Sequence, residues 1–158
     1  MTDENAATTS EGLVRSGGRV IVGVDGSASS IEALRRGAGI AERYGATLAG
    51  VTAWSYPDAW HGYVGADWSP EQDAHEIAAE TAQQVFGDAV PSWYAPEIVH
   101  GSPAFVLIEA TKTADLVIVG NRGRGGFAGL LLGSVSRSIA ERAHCPVLII
   151  RGGDSPAS

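Results

Sequence analysis

Apolar positions follow two rhythms along this chain: short continuous β-branched runs, and longer stretches with apolar residues three or four apart. Arg19–Val24 (RVIVGV) is a short run ended by Asp25-Gly26-Ser27, the pattern of a buried strand and its turn. A helix is predicted from about Ser29 to Tyr44, with Ile31, Leu34, Ala38 and Ala41 on one face. Ser29 and Glu32 have the spacing of a capping box, and Gly45 stops the helix. Ala46–Trp54 reads as a second strand. Ser69-Pro70-Glu71-Gln72 opens a second helix to about Phe86, with serine as N-cap and proline at the first helical position. Trp93–His100 reads as a third strand, although Pro96 weakens that pattern. A helix from Ser102-Pro103 to about Thr111, a strand over Asp115–Val119, a helix over Ser134–Arg142 and a strand over Pro146–Ile150 complete the series. Residues 1–18 and 152–158 are small, polar and aperiodic, and read as disordered tails around one domain over 19–151.

Strands alternating with helices, each strand nearly all apolar, predict an α/β fold: a single open sheet of the Rossmann-like kind, five parallel strands with helices on both faces. Crossovers in such a sheet are right-handed. Ligands bind beyond the carboxyl ends of the strands, where the strand order reverses. The segments after the first, second and fourth strands are therefore the places to look for chemistry.

The totals narrow the classes of function. The 158 residues suit one domain, and 44% hydrophobic residues supply a full core. A net charge of −7 argues against a general nucleic-acid binder and against attraction to an anionic membrane surface. No apolar run approaches the roughly 18 residues of a membrane span. The single cysteine, Cys145, excludes an internal disulfide and points to a reducing, cytoplasmic setting. The start, MTDENAATTSEG, is acidic and polar, unlike a secretory leader.

After the fourth strand the chain reads Gly120-Asn121-Arg122-Gly123-Arg124-Gly125-Gly126-Phe127-Ala128-Gly129-Leu130-Leu131-Leu132-Gly133-Ser134-Val135-Ser136. Closely spaced glycines let a backbone approach a ligand and turn successive N–H groups toward an anion. Gly133-Ser134 stands where a helix begins, and a helix N-terminus favours phosphate. Ser134 and Ser136 add hydroxyls, and Arg122 and Arg124 add charge. The loop lacks the lysine of a P-loop. Gly123-x-Gly125-x-x-Ala128 is a loose dinucleotide fingerprint that follows the fourth strand instead of the first, so it reads as chance.

The wider spacing is more specific. Gly120, two residues, Gly123, nine residues, Gly133 and then Ser134 resembles the ATP-binding signature of the universal stress protein family. Val22-Gly23-Val24-Asp25-Gly26-Ser27, Asp115-Leu116-Val117-Ile118-Val119-Gly120 and Cys145-Pro146-Val147-Leu148-Ile149-Ile150 are also similar to that family, and the likeness covers roughly residues 19–151. It implies strand order 3-2-1-4-5 and ATP across the carboxyl edge. By this resemblance, Gly23, Val24 and Val51 wall the adenine, and Gly120, Arg122 and Gly123 lie near ribose and phosphates. Gly133, Ser134, Val135 and Ser136 cradle the phosphates. Asp25 lies near the ribose or a magnesium ion. A homodimer through the strand at 146–150 is implied as well. Asn121 departs from the serine or threonine common at its place, and the loop over Ser55–Trp68 matches nothing constant in the family.

Each feature also has a plainer reading. Asp25 and Ser134 are placed to cap helices. Tyr56, Trp60, Tyr63 and Trp68 of the 55–68 loop more simply cover a core edge or a partner surface than form a lid over adenine. His144 and Cys145 read as a buried, inert pair. Beside the leading expectation, an ATP-responsive regulatory or stress-response module, stand three alternatives: a slow magnesium-dependent ATPase using Asp25, the same fold binding cyclic AMP, and a structural dimer with no nucleotide. No catalytic residue is evident, which makes an enzyme the weaker expectation.

Overall fold

A computed structural model describes residues 12–58, 67–123 and 131–152. The order of elements is β1 (Arg19–Gly23), α1 (Ala28–Tyr44), β2 (Thr47–Trp54), α2 (Pro70–Phe86), β3 (Tyr94–His100), α3 (Pro103–Thr111), β4 (Leu116–Gly120), α4 (Ser134–Arg142) and β5 (Val147–Ile150). The five strands form one parallel sheet in the order β3-β2-β1-β4-β5. In the central register Ile21 lies beside Ala49 on one side and Val117 on the other.

Successive strand residues face opposite sides, and both sides here are covered. Val20, Val22, Leu48, Leu116 and Ile118 pack with Leu34 of α1, and Ile77 and Val85 of α2 lie against this cluster. Ile21, Ala49, Val51, Val117 and Val119 pack with Val106 and Leu107 of α3 and Ile139 of α4. Burial on both faces is the physical reason that these strands are apolar throughout. β3 is an edge strand, which is where a residue such as Pro96, lacking a ladder donor, is tolerated.

Helix α1 differs from its predicted start. Its N-cap is Ser27, whose hydroxyl accepts from the Ser30 N–H at 3.3 Å. Ser29 lies inside the helix and is buried, while Glu32 pairs with Arg35 and Arg36. The helix begins earlier because Ser29 has a tertiary partner, described below. Gly45 ends it at φ 63°, in the left-handed region that glycine enters without strain.

The expected tail over 1–18 also changes. Residues 1–11 and 153–158 lie outside the described residues, but Val14 is buried and the Gly17 N–H donates to Gly45 O at 3.2 Å. Arg15 Nε donates to Asp115 Oδ1 at 2.6 Å, and the Arg19 N–H donates to Asp115 Oδ2 at 2.8 Å. These bonds, the Arg15 one foremost, hold the Asp115 carboxyl below its ordinary pKa. The last few residues before β1 thus fasten to the amino edge of the sheet. His144 is exposed and Cys145 half-buried, so the expected buried pair does not form, although burial raises the Cys145 thiol pKa. No described helix is long and apolar enough to cross a membrane.

Candidate functional site

The crossovers from β1 run one way to β2 and β3, and the chain then returns to the other side of β1 with β4. The carboxyl ends of β1 and β4 therefore diverge, and the connections leaving them part to open a crevice. A cavity of about 700 Å³ lies there. All eleven residues singled out in the sequence line it: Gly23, Val24, Asp25, Val51, Gly120, Arg122, Gly123, Gly133, Ser134, Val135 and Ser136.

One end of the cavity is a cradle of backbone donors. Gly133, the N-cap of α4, has no side chain to cap the helix, and the first intrahelical bond runs from Arg137 N to Gly133 O. The N–H groups of Ser134, Val135 and Ser136 are thus left without helical acceptors beside the cavity. The helix dipole adds positive potential at the same place.

The loop from β4 is held to this helix by named bonds. Gly133 N–H donates to Asn121 O at 2.7 Å, and Ser136 Oγ donates to the same oxygen at 3.2 Å. Asn121 N–H donates to Ile150 O, and its Oδ1 accepts from Gly152 N–H at 3.1 Å. Ser29 Oγ donates to Arg122 O at 2.6 Å, joining α1 to the loop. A β-carbon at Gly120 would collide with Ser29, and one at Gly123 would come within 2.7 Å of Asp25 Oδ2. Asp25 is oriented from its own turn: its Oδ1 accepts the Ser27 N–H at 2.9 Å and the Ser27 hydroxyl at 2.5 Å. Arg124 lies outside the described residues.

The rest of the lining is mostly apolar. Val24, Val51, Val119, Leu107, Ala74 and Ile77 supply the apolar lining, with Thr52, Trp54 and Asp73 adding polar groups. Thr52 is 3% exposed, and its Oγ1 has no hydrogen-bond partner among the described residues. Trp54 packs edge-on against His100 and Tyr56, and Tyr56 against Trp68. Trp68 Nε1 donates to Asp73 Oδ2 at 2.8 Å. The 55–68 loop thus contributes Ser55 to the cavity wall and a line of rings behind Trp54, while Trp60 and Tyr63 lie outside the described residues.

Sequence reasoning missed Ser27, Ser29, Thr52 and Asp73. The hydroxyl cluster Ser27, Ser29 and Ser30 directly after a strand was a usable signal. Nothing local marks Thr52 or Asp73, because only the packing of α2 on β2 brings them to one wall. No group of three His, Cys, Asp or Glu among the described residues is arranged to hold a metal. Magnesium commonly needs only one or two carboxylates when phosphates supply other ligands, a demand that Asp25 fits.

An open parallel α/β sheet with a polar-ended cavity at its switch point defines a doubly wound protein with a small-molecule site. The sequence model of the Universal stress protein family matches residues 18–151, and the chain belongs to that family. Universal stress protein Rv2623 of Mycobacterium tuberculosis (strain ATCC 25618 / H37Rv) is 35% identical over 140 residues, covering 84% of this chain and 44% of the relative. A universal stress protein of Mycolicibacterium smegmatis (strain ATCC 700084 / mc(2)155) is 33% identical over 144 residues, covering 84% of this chain and 45% of its own length. The chain spans less than half the length of these curated relatives. Among solved structures, a universal stress protein in complex with cAMP superposes with TM-score 0.65 at 31% identity, covering 87% of this chain and 99% of that one. UspA from Lactobacillus plantarum superposes with TM-score 0.66 at 22% identity, covering 87% and 99%, a likeness of fold.

Proposed function

We propose that this protein binds an adenine nucleotide, ATP with magnesium, and acts as a regulatory stress-response module in the cytoplasm. The carrying observation is the juxtaposition in one cavity of the start of α4, which has no side-chain cap, the Gly120–Gly123 turn and a mostly apolar remaining lining. Phosphates suit the donor end and a purine the apolar lining. Arg122 supplies positive charge, and Asp25 is the carboxylate for a magnesium ion shared with phosphate oxygens. Such an ion would neutralise phosphate charge.

Nucleotide binding would order the loop that Asn121 and Ser29 fasten, and so bias a surface recognised by a partner. A homodimer through the outer edge of β5 belongs to this reading. The reading is of a binding module, because the donor end suits phosphate and no described residue there is placed as a general base.

The relative in complex with cAMP favours a second reading, in which the same cradle holds a single cyclic phosphate. Isothermal calorimetry with nucleotide-free protein separates the two. Saturable binding of magnesium-ATP is expected, and Gly123→Val should abolish it without unfolding the protein, because the new side chain meets Asp25. Binding of cyclic AMP with none of ATP would establish the second reading. Binding of neither would reject both and leave a structural role.

A further inference from the structure

We infer that Asn121 is a positioning residue that couples the segment leaving β5, at Arg151 and Gly152, to the phosphate end of the cavity, so that bound phosphates and the fastening of that segment strengthen each other. The inference rests on the nucleotide reading above, since it places phosphates at the start of α4.

Asn121 is 8% exposed, and its polar groups all have backbone or hydroxyl partners. Its N–H donates to Ile150 O at 2.8 Å, and its O accepts from Gly133 N–H and Ser136 Oγ. Its Oδ1 accepts from Gly152 N–H at 3.1 Å, while Nδ2 donates to Leu131 O at 3.5 Å. The main chain of Asn121 therefore carries the N-cap of α4, and its side chain carries the segment that leaves β5. A buried amide bonded through both its acceptor and its donor is held in one orientation, and losing a partner is costly. Neither Asn121 nor Gly152 is among the residues lining the nucleotide cavity, so each acts through other groups.

A second contact ties the same two places together. A β-carbon at Gly152 would lie 2.9 Å from Ser29 Cβ and 3.1 Å from Ser29 N, so the segment rests closely on the start of α1. Ser29 Oγ in turn donates to Arg122 O. Arg122 and Gly123 line the nucleotide cavity and also a smaller one, of about 440 Å³, shared with Asn121, Arg151 and Gly152. Phosphate held by the N–H groups of Ser134, Val135 and Ser136 would fix the first turn of α4. Gly133 and Ser136 pass that order to Asn121 O, and the Asn121 side chain passes it to Gly152. By linkage, fastening Gly152 raises phosphate affinity by the same factor. Asparagine suits this bridge because its acceptor and donor are separate atoms; a serine hydroxyl is one atom on a shorter stem.

Two measurements test the coupling. In wild type, NMR reads the solvent exchange of the Gly152 amide proton. Saturating magnesium-ATP should slow that exchange about fivefold, the lower end of coupling between sites. Adenosine, which has the base and ribose without phosphate, should leave it unchanged. Calorimetry then compares wild type with Asn121→Ser, which removes the side-chain bridge and keeps the main-chain bonds. The variant should bind ATP about fivefold more weakly, bind adenosine as wild type does, and show no effect of ATP on Gly152. Melting curves confirm that it is folded. A Gly152 amide indifferent to ATP in wild type would overturn the inference without recourse to any variant and leave the nucleotide reading standing. An Asn121→Ser loss that falls equally on ATP and adenosine would do the same, as the mark of a merely structural residue. Absence of ATP binding by wild type would overturn the nucleotide reading, and this inference with it.

Discussion

Asp115 shows how one carboxylate can tie a terminal segment to a sheet. It accepts from the exposed Arg15 side chain and from the backbone N–H of Arg19, and these bonds lower its pKa in the folded chain. The unfolded carboxyl titrates near its ordinary value of about 3.9. Between that value and the lower folded one, the unfolded chain binds more protons, so stability falls as pH falls. The contribution is complete above the unfolded value and fades through the folded one. Urea unfolding at a series of pH values should show wild type more stable than Asp115→Asn near neutrality, with the gap closing below about pH 4. A gap independent of pH would mean that the carboxylate charge is not what holds the segment. Much of the candidate site was legible at this scale, because glycine, serine and arginine at fixed spacing have few physical uses together. Thr52 was not legible: a threonine in a strand is ordinary, and only its missing partner sets it apart.

At the scale of elements, the turn after β1 and the start of α1 act as one unit. The Ser27 hydroxyl caps the helix through Ser30 N–H and also donates to Asp25, so a single side chain sets the helix start and the orientation of the carboxylate. Ser27→Ala should cost about 1 kcal/mol of stability, as loss of an N-cap does. It should also weaken nucleotide binding at magnesium concentrations that saturate the wild type. Urea denaturation and calorimetry measure the two effects, and a stability loss without an affinity loss would detach Asp25 from the ligand. The predicted capping box at Ser29 failed for a tertiary reason. Its spacing to Glu32 was right, but Ser29 Oγ is used by Arg122 O, ninety-three positions away. The strand and helix assignments otherwise agree with the structure to within a residue or two, because each strand is buried on both faces and each helix on one.

For the whole molecule, the open edge of β5 is the remaining question. Pro146 O accepts from Val117 of β4 and Ile150 O from Asn121 just beyond it, so the backbone groups of Val147 and Ile149 turn to the outer edge. The strand's side chains are only half-buried. A parallel edge with apolar flanks and no neighbouring strand among the described residues invites a second copy. Sedimentation should find a dimer, and Ile149→Pro, which removes an outward donor while sparing the β4 ladder, should give a monomer with unchanged circular dichroism. A monomeric wild type would refute that edge as an interface. Nucleotide bound only by the folded state should also raise the melting temperature in proportion to the logarithm of its concentration, a check independent of the heat of binding.

The sequence by itself determined the alternation of strands and helices, the burial of both sheet faces, and the phosphate-friendly character of the segment from Gly120 to Ser136. These follow from local period and residue type, which need no partner. The resemblance carried by the glycine spacing supplied the strand order. Tertiary structure alone decided which hydroxyl caps α1, where residues 12–18 lie, and that Thr52 and Asp73 line the same cavity as Val24 and Val51. Those outcomes depend on contacts between segments far apart in the chain. Local pattern carries no record of them, because the same side chain can cap, pack or hold a loop according to what the fold brings beside it.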